Sequence, residues 1–520
     1  MPTDSQHERD RFLSACQALL GAGMVMTGTE AQEKYGANSV GHQAAIAGAV
    51  LPGSQAEVVA IVTLANRHNV AIYPISTGHN WGYGGATPHG DDAVIVDLHR
   101  MNRIIAVDRD LGIAIVEPGV TTGQLYEHLA TSGLDYMVPV TGAGPDNSLI
   151  GNALERGVGL VPTSDHFQAV MSLTAVLPDG RVYSPALPQD KPTDIGHLYK
   201  WGVGPYLDGL FAQGAFGIVT QATIALVPRP ETAVLFAYDL AGRYPDEAVN
   251  FVREASKRYG RNLSCLSTMN KLRCLSTSPF ERPERLLDWK VVGVIYGDRA
   301  VVKAVKRGLR DLARRSGLKG RTVSLPLLIA VSRRIAALPA AIASSRFGRY
   351  LAYSAELAEF FLGKPTELAV KHVAYGGGGT SPLNPDRDGI GLMWYAPLIP
   401  LRAEALRQFI DMAEPILKEH GFDFSITFLS FGWHCVDGTL LLKYDRANPA
   451  DCWRAKSCYA TLFEAGKRHG FIPYRVGLQG MKLLVDETMP FWQVTRDVKR
   501  ALDPNGILSP GRYGLGADAG

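Results

Sequence analysis

Short apolar runs alternate with a helical pattern in the first part of the chain, which predicts a mixed α and β unit. The run "AIAGAVLP" (45–52) predicts a strand, and "SQAEVVAIVTLANRHN" (54–69) has the apolar spacing of an amphipathic helix. Ser54 and Glu57 form a capping-box pattern at the start of that helix. The β-branched run "VAIYPIS" (70–76) predicts a second strand that leads into a glycine-rich stretch.

Further strand patterns follow up to residue 230. They are "AVIVDL" (93–98), "RIIAVD" (103–108), "GIAIVEPG" (112–119), the hairpin "MSLTAVLPDGRVYS" (171–184) and "FGIVTQATIALVPRP" (216–230). A helix is predicted to start near Thr121 and Thr122. The prolines that end the last strand favour a domain boundary there, at which the chain leaves the first domain.

From about residue 231 to 470 the pattern changes. Long helical patterns such as 402–423 alternate with strands such as 438–446, which predicts an antiparallel sheet with helices on one side. The apolar segment Leu325–Ala343 is split by Arg333 and Arg334, and each half is much shorter than the roughly 20 residues of a membrane span. We expect a buried or lid helix there, with an interfacial amphipathic helix as the alternative. The stretch 501–514 is rich in proline and glycine and predicts an ordered turn.

Composition narrows the class of protein. A chain of 520 residues exceeds one hydrophobic core, so two domains are expected. The net charge of +3 argues against a dedicated nucleic-acid binder. The six cysteines include no C-x-x-C pair, which favours reduced thiols over disulfides or a zinc site, and we predict no metal site. The N-terminus lacks an apolar signal core, so a cytoplasmic protein without a transmembrane segment is expected.

The loop "STGHNWGYGG" (76–85) is the first candidate site. Glycine lets backbone N–H groups approach a ligand closely, and such groups suit a pyrophosphate. The spacing is not G-x-G-x-x-G and strands rather than a helix follow, so this is not a Rossmann fingerprint. Taken alone, a glycine-rich stretch between strands is more often only a turn.

Three other segments accompany this loop. They are "TGAGPDNSLIGNALERGVGLVPTSDHF" (141–167), "GPYLDGLFAQGAFGIVTQATIAL" (204–226) and "DPNGILSPGRYG" (503–514). In combination the four segments resemble the vanillyl-alcohol oxidase and p-cresol methylhydroxylase family of FAD-linked oxidoreductases. The resemblance implies an α+β, two-domain PCMH-type fold, with an FAD-binding domain formed by residues 1–230 and 471–520. Residues 231–470 would be an inserted α+β cap domain that binds substrate. Family members are commonly homodimers or larger, which implies a homo-oligomer.

The resemblance also implies the residues that bind FAD. They are Ser76, Thr77, Gly78, His79, Asn80, Gly82, Tyr83, Gly84, Gly85, Ser148, Gly151, Asn152, Gly217, Ile218, Val219 and Arg512.

Four positions match catalytic residues of the family. Tyr83, Tyr474 and Arg475 correspond to the groups that bind a phenol as its phenolate, and Asp165 to an acidic residue beside the flavin. The implied activity is that of an FAD-dependent oxidase or dehydrogenase that abstracts a hydride from the carbon para to a phenolate, through a quinone methide. Oxygen or an electron-acceptor protein such as a cytochrome would then take the electrons. Without the family match, each residue has an ordinary role: packing for Tyr83, a strand position and a surface charge for Tyr474 and Arg475, and a turn cap for Asp165.

His79 is the candidate for a covalent bond to FAD. The turn "STGH" is similar to one in distant relatives whose histidine is bonded to the flavin 8α-methyl group. The cap-domain position that carries a linking histidine in some members is Leu392 here, which cannot form the bond. Val373 is nearest to the tyrosine link of the methylhydroxylases, with His372 and Tyr375 out of register.

The cap departs from the family in ways that leave the substrate open. Asp437 and Gly438 stand where a histidine pair is usual, with His434 a few residues earlier, and Glu367 is two residues away from a glutamate of the methylhydroxylases. Two alternatives therefore stay open: an oxidase of this fold that acts on another alcohol, amine or biosynthetic intermediate, and a non-catalytic flavin-binding or electron-transfer subunit.

Overall fold

The structure is a computed structural model that describes residues 4–515. Its α-helices are α1 (Asp4–Leu20), α2 (Gly28–Tyr35), α3 (Gln55–His68), α4 (Thr122–Thr131), α5 (Leu149–Leu154), α6 (Asp246–Tyr259), α7 (Lys271–Thr277), α8 (Arg299–Arg315), α9 (Leu325–Ala336), α10 (Ala340–Ala343), α11 (Arg346–Phe361), α12 (Leu368–Val373), α13 (Ala403–Glu419), α14 (Pro449–His469), α15 (Met481–Leu484) and α16 (Pro490–Leu502).

The strands of the same region are β1 (Val25–Met26), β2 (Ile46–Val50), β3 (Ile72–Ile75), β4 (Ala93–Asp97), β5 (Ile104–Asp108), β6 (Ile113–Val116), β7 (Tyr136–Met137), β8 (Val170–Val176), β9 (Val182–Tyr183), β10 (Ile218–Ala225), β11 (Val227–Pro228), β12 (Thr232–Leu240), β13 (Ser267–Asn270), β14 (Trp289–Gly297), β15 (Lys319–Ser324), β16 (Ile390–Tyr395), β17 (Leu398–Pro400), β18 (Ile426–Phe431) and β19 (Cys435–Asp445).

The first sheet carries the glycine-rich loop at the end of one strand. Its order is β1-β2-β4-β3, and β2 and β3 both run parallel to β4. The predicted strand, helix and strand are confirmed as β2, α3 and β3. Ser54 caps α3 by accepting the N–H of Glu57, whereas the Glu57 carboxylate accepts the N–H of Gly53 rather than that of Ser54. The capping box is therefore displaced by one residue.

The second sheet is antiparallel, in the order β5-β6-β10-β8-β9. The predicted strands at 93–98, 103–108 and 112–119 are confirmed as β4, β5 and β6, and the predicted hairpin as β8 and β9. The predicted helix start is confirmed as well, because the Thr121 hydroxyl caps α4 by accepting the N–H of Gln124.

The C-terminal stretch joins the first sheet. The N–H of Ile72 donates to the carbonyl of Ile507 at 2.7 Å, and the N–H of Ser509 donates to the carbonyl of Ile72 at 2.8 Å. After α16 the chain forms turns with one short 3-10 helix at Arg512–Gly514, as the proline and glycine content predicts. Segments from both halves of the chain thus meet beside β3.

A large antiparallel sheet occupies residues 232–445, in the order β15-β12-β14-β13-β18-β19-β16, with β17 paired to β19. One face carries the main core, which includes Phe236 and Phe428 and is covered by α6, α8, α13 and α14. On the opposite face, Ala233 and Val294 pack against Phe361 of α11. The prediction that helices cover only one side is therefore wrong, because β12 and β14 bury side chains on both faces. The domain boundaries at 230 and 470 stay a prediction.

The segment Leu325–Ala343 forms α9 and α10 at the surface. Of the side chains of α9 that the structure describes, only Leu325 and Ser332 are buried, and Leu327 is 63% exposed. The expectation of a buried helix is wrong, because only one edge of α9 reaches the sheet. The lid and the interfacial helix stay predictions. Within residues 4–515, no helix is long and apolar enough to cross a membrane.

Candidate functional site

The glycine-rich loop 76–85 folds tightly after β3. Gly78, Gly82, Gly84 and Gly85 all have positive φ, and the N–H groups of Tyr83 and Gly85 both donate to the carbonyl of Asn80 at 3.1 Å. Such φ values favour glycine strongly. At these four glycine positions the loop consequently presents backbone, while side chains project between them.

Residues from three other parts of the chain pack against the other side of this loop. A Cβ added to Gly82 would collide with the Trp394 ring, and one added to Gly84 would collide with Leu478. The N–H of Gly82 donates to the Ser39 hydroxyl at 2.8 Å. The space beside the loop is therefore shaped by residues distant in sequence.

A second glycine-bearing segment approaches the first. The N–H of Ser148 donates to the Thr77 hydroxyl at 3.2 Å, and the Ser148 hydroxyl accepts the N–H of Gly151 at 2.9 Å. A Cβ on Gly151 would collide with the Ser76 hydroxyl. These four predicted cofactor residues lie together, whereas the Asn152 carboxamide oxygen is engaged by the buried His166 ring at 2.6 Å.

The start of β10 supplies the remaining predicted backbone positions. Ile218 pairs with Val176 and packs in one apolar cluster with Ile72 and Leu508. A Cβ on Gly217 would lie 2.6 Å from the ring of Phe211, so the glycine permits close packing there. Gly217, Ile218 and Val219 therefore lie near the strand that leads into the glycine loop.

Glu155 links two buried arginines. Nη2 of Arg512 donates to Glu155 Oε1 at 2.5 Å, and Nε of Arg475 lies 3.9 Å from Oε2. Burial would raise the pKa of Glu155, but Arg512 and Arg475 together hold that pKa below its usual value. Glu155 was not predicted to belong to the site, because nothing in its local sequence indicates a partner more than 300 residues away.

The predicted phenol-binding residues form one cluster. The Arg475 guanidinium carbon lies 4.2 Å from the centroid of the Tyr83 ring, and its Nη2 donates to the Asn80 carboxamide oxygen. Burial raises the pKa of Tyr83 and of Tyr474, so both hydroxyls keep their protons. The two tyrosine side chains interact directly. The cluster thus combines a fixed cation with two neutral hydroxyl donors.

Asp165 lies close enough to this cluster that its charge contributes to the raised pKa of Tyr474. Its Oδ1 also accepts the N–H of Phe167 at 3.0 Å. The carboxylate thus has the turn-capping role expected of an aspartate in a loop, and it borders the tyrosines as well. The structure therefore brings Tyr83, Tyr474 and Arg475 together and places Asp165 within electrostatic range of Tyr474.

His79 is half-buried and lies against Trp81. The two rings are stacked with their centroids 4.8 Å apart, and burial lowers the pKa of His79. In the described part of the chain, His79 Nδ1 has no hydrogen-bond partner. The alternative linking residues are engaged elsewhere: the Tyr375 hydroxyl donates to Asp388 at 2.6 Å, and the His372 ring packs against Tyr353.

Asp437 of β19 lies close enough to Tyr83 and Tyr474 that its charge contributes to the raised pKa of both. It is 2% exposed, and burial raises its pKa to about 7. Its Oδ2 accepts the hydroxyl of Thr439 at 2.9 Å, while Oδ1 has no partner among residues 4–515. His434 lies instead on the exposed turn between β18 and β19, packed on Trp433.

Two further residues border the site and were missed. Trp394 of β16 contacts Gly82, and the Arg273 guanidinium carbon lies 5.9 Å from the Trp394 ring centroid. Their positions follow from strand pairing across the large sheet. No local motif marks either residue.

These features fit FAD. The glycine loop provides the close backbone approach that a pyrophosphate needs. Around it, buried polar atoms lack partners within the described residues: Nδ1 of His79, Nε1 of Trp81, and Nε of Arg475 and Arg512. Such atoms are costly unless a bound group satisfies them. No cluster of three or more His, Cys, Asp or Glu side chains in residues 4–515 is arranged to hold a metal ion.

Comparison with known proteins agrees with this geometry. Residues 46–184 match the FAD binding domain family. The chain is 31% identical to 1'-carboxy-chondrochloren decarboxylase of Chondromyces crocatus, over 97% of each chain. It is 27% identical to the 4-cresol dehydrogenase [hydroxylating] flavoprotein subunit of Pseudomonas putida, over 98% of this chain and 96% of that one. A crystal structure of p-cresol methylhydroxylase with substrate bound superposes with a TM-score of 0.85 at 26% identity, over 99% of this chain and 98% of that chain.

The likeness extends over nearly the whole chain and includes the fold. The matched FAD binding domain family is also consistent with the glycine-rich loop 76–85 and with the unpartnered polar atoms around that loop. The chain belongs to the vanillyl-alcohol oxidase and p-cresol methylhydroxylase family, and it is an FAD-dependent oxidoreductase.

Proposed function

We propose that this enzyme oxidises phenols that carry a carbon substituent para to the hydroxyl group, by removal of a hydride from the carbon attached to the ring. The observation that carries this proposal is the buried cluster of Arg475, Tyr83 and Tyr474 beside the glycine loop. The names of the 4-cresol dehydrogenase subunit and of p-cresol methylhydroxylase support the same substrate class.

The cluster suits an anionic oxygen. Arg475 carries a permanent positive charge, and the two tyrosines remain protonated because burial raises their pKa. A cation and hydroxyl donors beside a phenol oxygen stabilise the phenolate and so lower the pKa of the bound phenol. FAD, when bound, supplies the acceptor for the hydride.

Binding the phenolate also assists the chemistry. Loss of a hydride from the ring-attached carbon of the para substituent leaves a quinone methide, and the electrons that stabilise it come from the phenolate oxygen. Asn80 and Glu155 hold Arg475 before any substrate binds, so little reorganisation of this cation is needed during the reaction. Addition of water or loss of a proton then gives an alcohol, an aldehyde or an alkene.

We also propose that His79 bonds covalently to the 8α carbon of FAD. The support is its unpartnered, buried Nδ1 in the glycine loop, together with Leu392 at the alternative cap position. A low pKa favours the neutral imidazole, which is the nucleophilic form.

A decarboxylating version of the same reaction is the second candidate, and the relative named as a decarboxylase favours it. Here the substrate bears a carboxylate on the carbon next to the oxidised one. After the hydride leaves, the electron pair of the bond to the carboxylate forms the new carbon–carbon double bond. The ring returns to a phenolate and CO2 is released.

Anaerobic mixing of the holoenzyme with a panel of phenols tests the proposal. We expect 4-ethylphenol or 4-propylphenol to bleach the flavin absorbance, whereas the methyl ether 4-ethylanisole should not, because it cannot form a phenolate. Equal bleaching by phenols and their ethers would contradict the proposal, as would no bleaching by any phenol. Release of CO2 from 3-(4-hydroxyphenyl)propanoate would identify the decarboxylating version.

A further inference from the structure

Arg273 is a half-buried cation of α7, packed against the large sheet, that the proposed phenol chemistry does not use. It follows β13 in the first turn of α7, where its N–H donates to the carboxamide oxygen of Asn270 at 3.0 Å. Its side-chain Nε donates to the Thr427 hydroxyl at 3.0 Å, and its guanidinium carbon lies 5.9 Å from the Trp394 ring centroid. Backbone capping and packing therefore fix the side chain.

The charge of Arg273 is not neutralised by the protein. Among residues 4–515 no carboxylate forms an ion pair with Arg273, and neither terminal guanidinium nitrogen has a hydrogen-bond partner. Burial lowers the pKa of the guanidinium to about 10. The terminal N–H groups of this half-buried cation therefore remain free to bind an anion.

Arg273 lies on the face of the sheet that borders the site. Thr427 and Phe431 alternate to the same face of β18, and the Phe431 ring lies 5.6 Å from the ring of Tyr474. On β16, Trp394 contacts Gly82, which precedes Tyr83 in the glycine loop. The guanidinium thus borders the space between the sheet and the phenol-binding cluster.

Asp437 shares this face without neutralising Arg273. Thr427 lies directly opposite Thr439, whose hydroxyl donates to Asp437. Two threonines therefore separate the carboxyl from the guanidinium. Phe431 marks the phenol-binding end of this face and Thr427 marks the Arg273 end. The strand rise separates the two residues by about 13 Å along β18, a distance longer than a phenol ring. An anion bound by Arg273 would therefore belong to a side chain of the substrate and not to the ring.

We propose that Arg273 binds a carboxylate on the para side chain of the substrate, so that the preferred substrates are 4-hydroxyphenyl compounds with an acidic chain. This inference rests on the proposed phenol oxidation. The planar guanidinium matches a carboxylate through paired N–H groups, and both terminal nitrogens are available. The contrasting interpretation is a structural arginine that only bridges Thr427 and Trp394.

The test measures binding without turnover. In the holoenzyme reduced by dithionite no hydride acceptor remains, so calorimetry reports the equilibrium affinity of phenols. The probes are 3-(4-hydroxyphenyl)propanoate, its uncharged primary amide, and 4-ethylphenol. We expect the wild-type protein to bind the acid about 10- to 100-fold more tightly than the amide, the range of a hydrogen-bonded charge pair.

Variants separate binding from folding. Arg273→Met should abolish the preference for the acid and leave the affinity for the amide unchanged, while Arg273→Lys should restore part of it. Arg282→Met, at an exposed arginine of the same region, is the matched control and should keep the full preference. Thermal unfolding verifies the fold, and exchange of this half-buried, unpaired cation for methionine is not expected to destabilise it.

The outcomes are distinct. Equal affinity for acid and amide in the wild-type protein, or an undiminished preference in Arg273→Met, would overturn the role of Arg273 while binding of 4-ethylphenol leaves the phenol proposal intact. If none of the three probes binds, the proposed function fails and this inference fails with it.

Discussion

The guanidinium carbon of Arg475 lies 4.2 Å from the centroid of the Tyr83 ring. Tyr83 belongs to the loop that follows β3, whereas Arg475 follows α14, nearly 400 residues later. Asn80 and Glu155 hold the guanidinium from two further directions. The cation is therefore fixed before any substrate arrives, which is the condition under which it assists a reaction most.

Replacement of Arg475 should weaken phenol binding and slow flavin reduction. We expect Arg475→Met to lower the affinity for 4-ethylphenol by about 10- to 100-fold, because a charge-assisted hydrogen bond to the phenolate is lost. Anaerobic stopped-flow measurements at the flavin absorbance band give both quantities. Arg334→Met, on the exposed side of α9, is the control. Unchanged kinetics in Arg475→Met would indicate another class of substrate.

Gly82→Ala should reduce the FAD content of the purified protein. Gly82 has φ of +80°, and an added Cβ would collide with the Trp394 ring, so the loop would have to move. The expected cost is about 2 kcal/mol or more. Gly90→Ala is the matched control, because no atom lies within 4 Å of its added Cβ and its φ is not positive. The ratio of flavin to protein absorbance measures the effect, and equal ratios in the two variants would contradict the expectation.

The covalent bond at His79 predicts that flavin stays with the protein after acid precipitation. In His79→Ala the yellow colour should pass entirely into the supernatant, because Leu392 offers no second attachment. His128→Ala, at an exposed position of α4, should behave as the wild-type protein. Mass spectrometry of the peptide that contains residue 79 identifies the attachment. Complete release of flavin from the wild-type protein would refute the bond.

Asp437 makes stability depend on pH in a defined direction. Burial raises its pKa in the folded protein to about 7, whereas an unfolded aspartate titrates near about 3.9. Between these values the folded protein retains a proton that the unfolded chain has released, so stability falls as pH rises from about 4 to about 7 and remains reduced above that.

Asp437→Asn should remove this loss. The amide keeps an acceptor for Thr439, so we expect the variant to be more stable than the wild-type protein at pH 8, by on the order of 3 kcal/mol, with a smaller difference at pH 4.5. Denaturant unfolding at both pH values measures the difference. Asp423→Asn, at an exposed carboxylate, provides the comparison. A difference that does not change with pH would show that Asp437 is not a buried titrating group.

Local patterns predicted the elements that depend on local interactions. The helix α3 and the strand β3 follow directly from apolar spacing and a serine cap. The glycine loop could be recognised because several of its positions have positive φ and therefore favour glycine. The resulting cluster of glycines is directly visible in the sequence. The four catalytic candidates were found only through their joint match to a family.

Features that arise from strand pairing were beyond local patterns. Arg273 borders the site because β13 pairs with β18, and that pairing brings Thr427 within reach of its side chain. The helices on both faces of the large sheet were missed for a related reason. An apolar pattern identifies a strand, but it does not show whether helices cover one face of the sheet or both.

The pairing of Ile72 with the segment around Ile507 has a consequence for biosynthesis. The large sheet contains only residues 232–445, so all its strands leave the ribosome before the C-terminal stretch has been translated. The glycine loop that binds the dinucleotide, in contrast, gains the partner of its preceding strand only once Ile507 has been translated. Nascent chains that stop before Ile507 are therefore expected to carry no flavin.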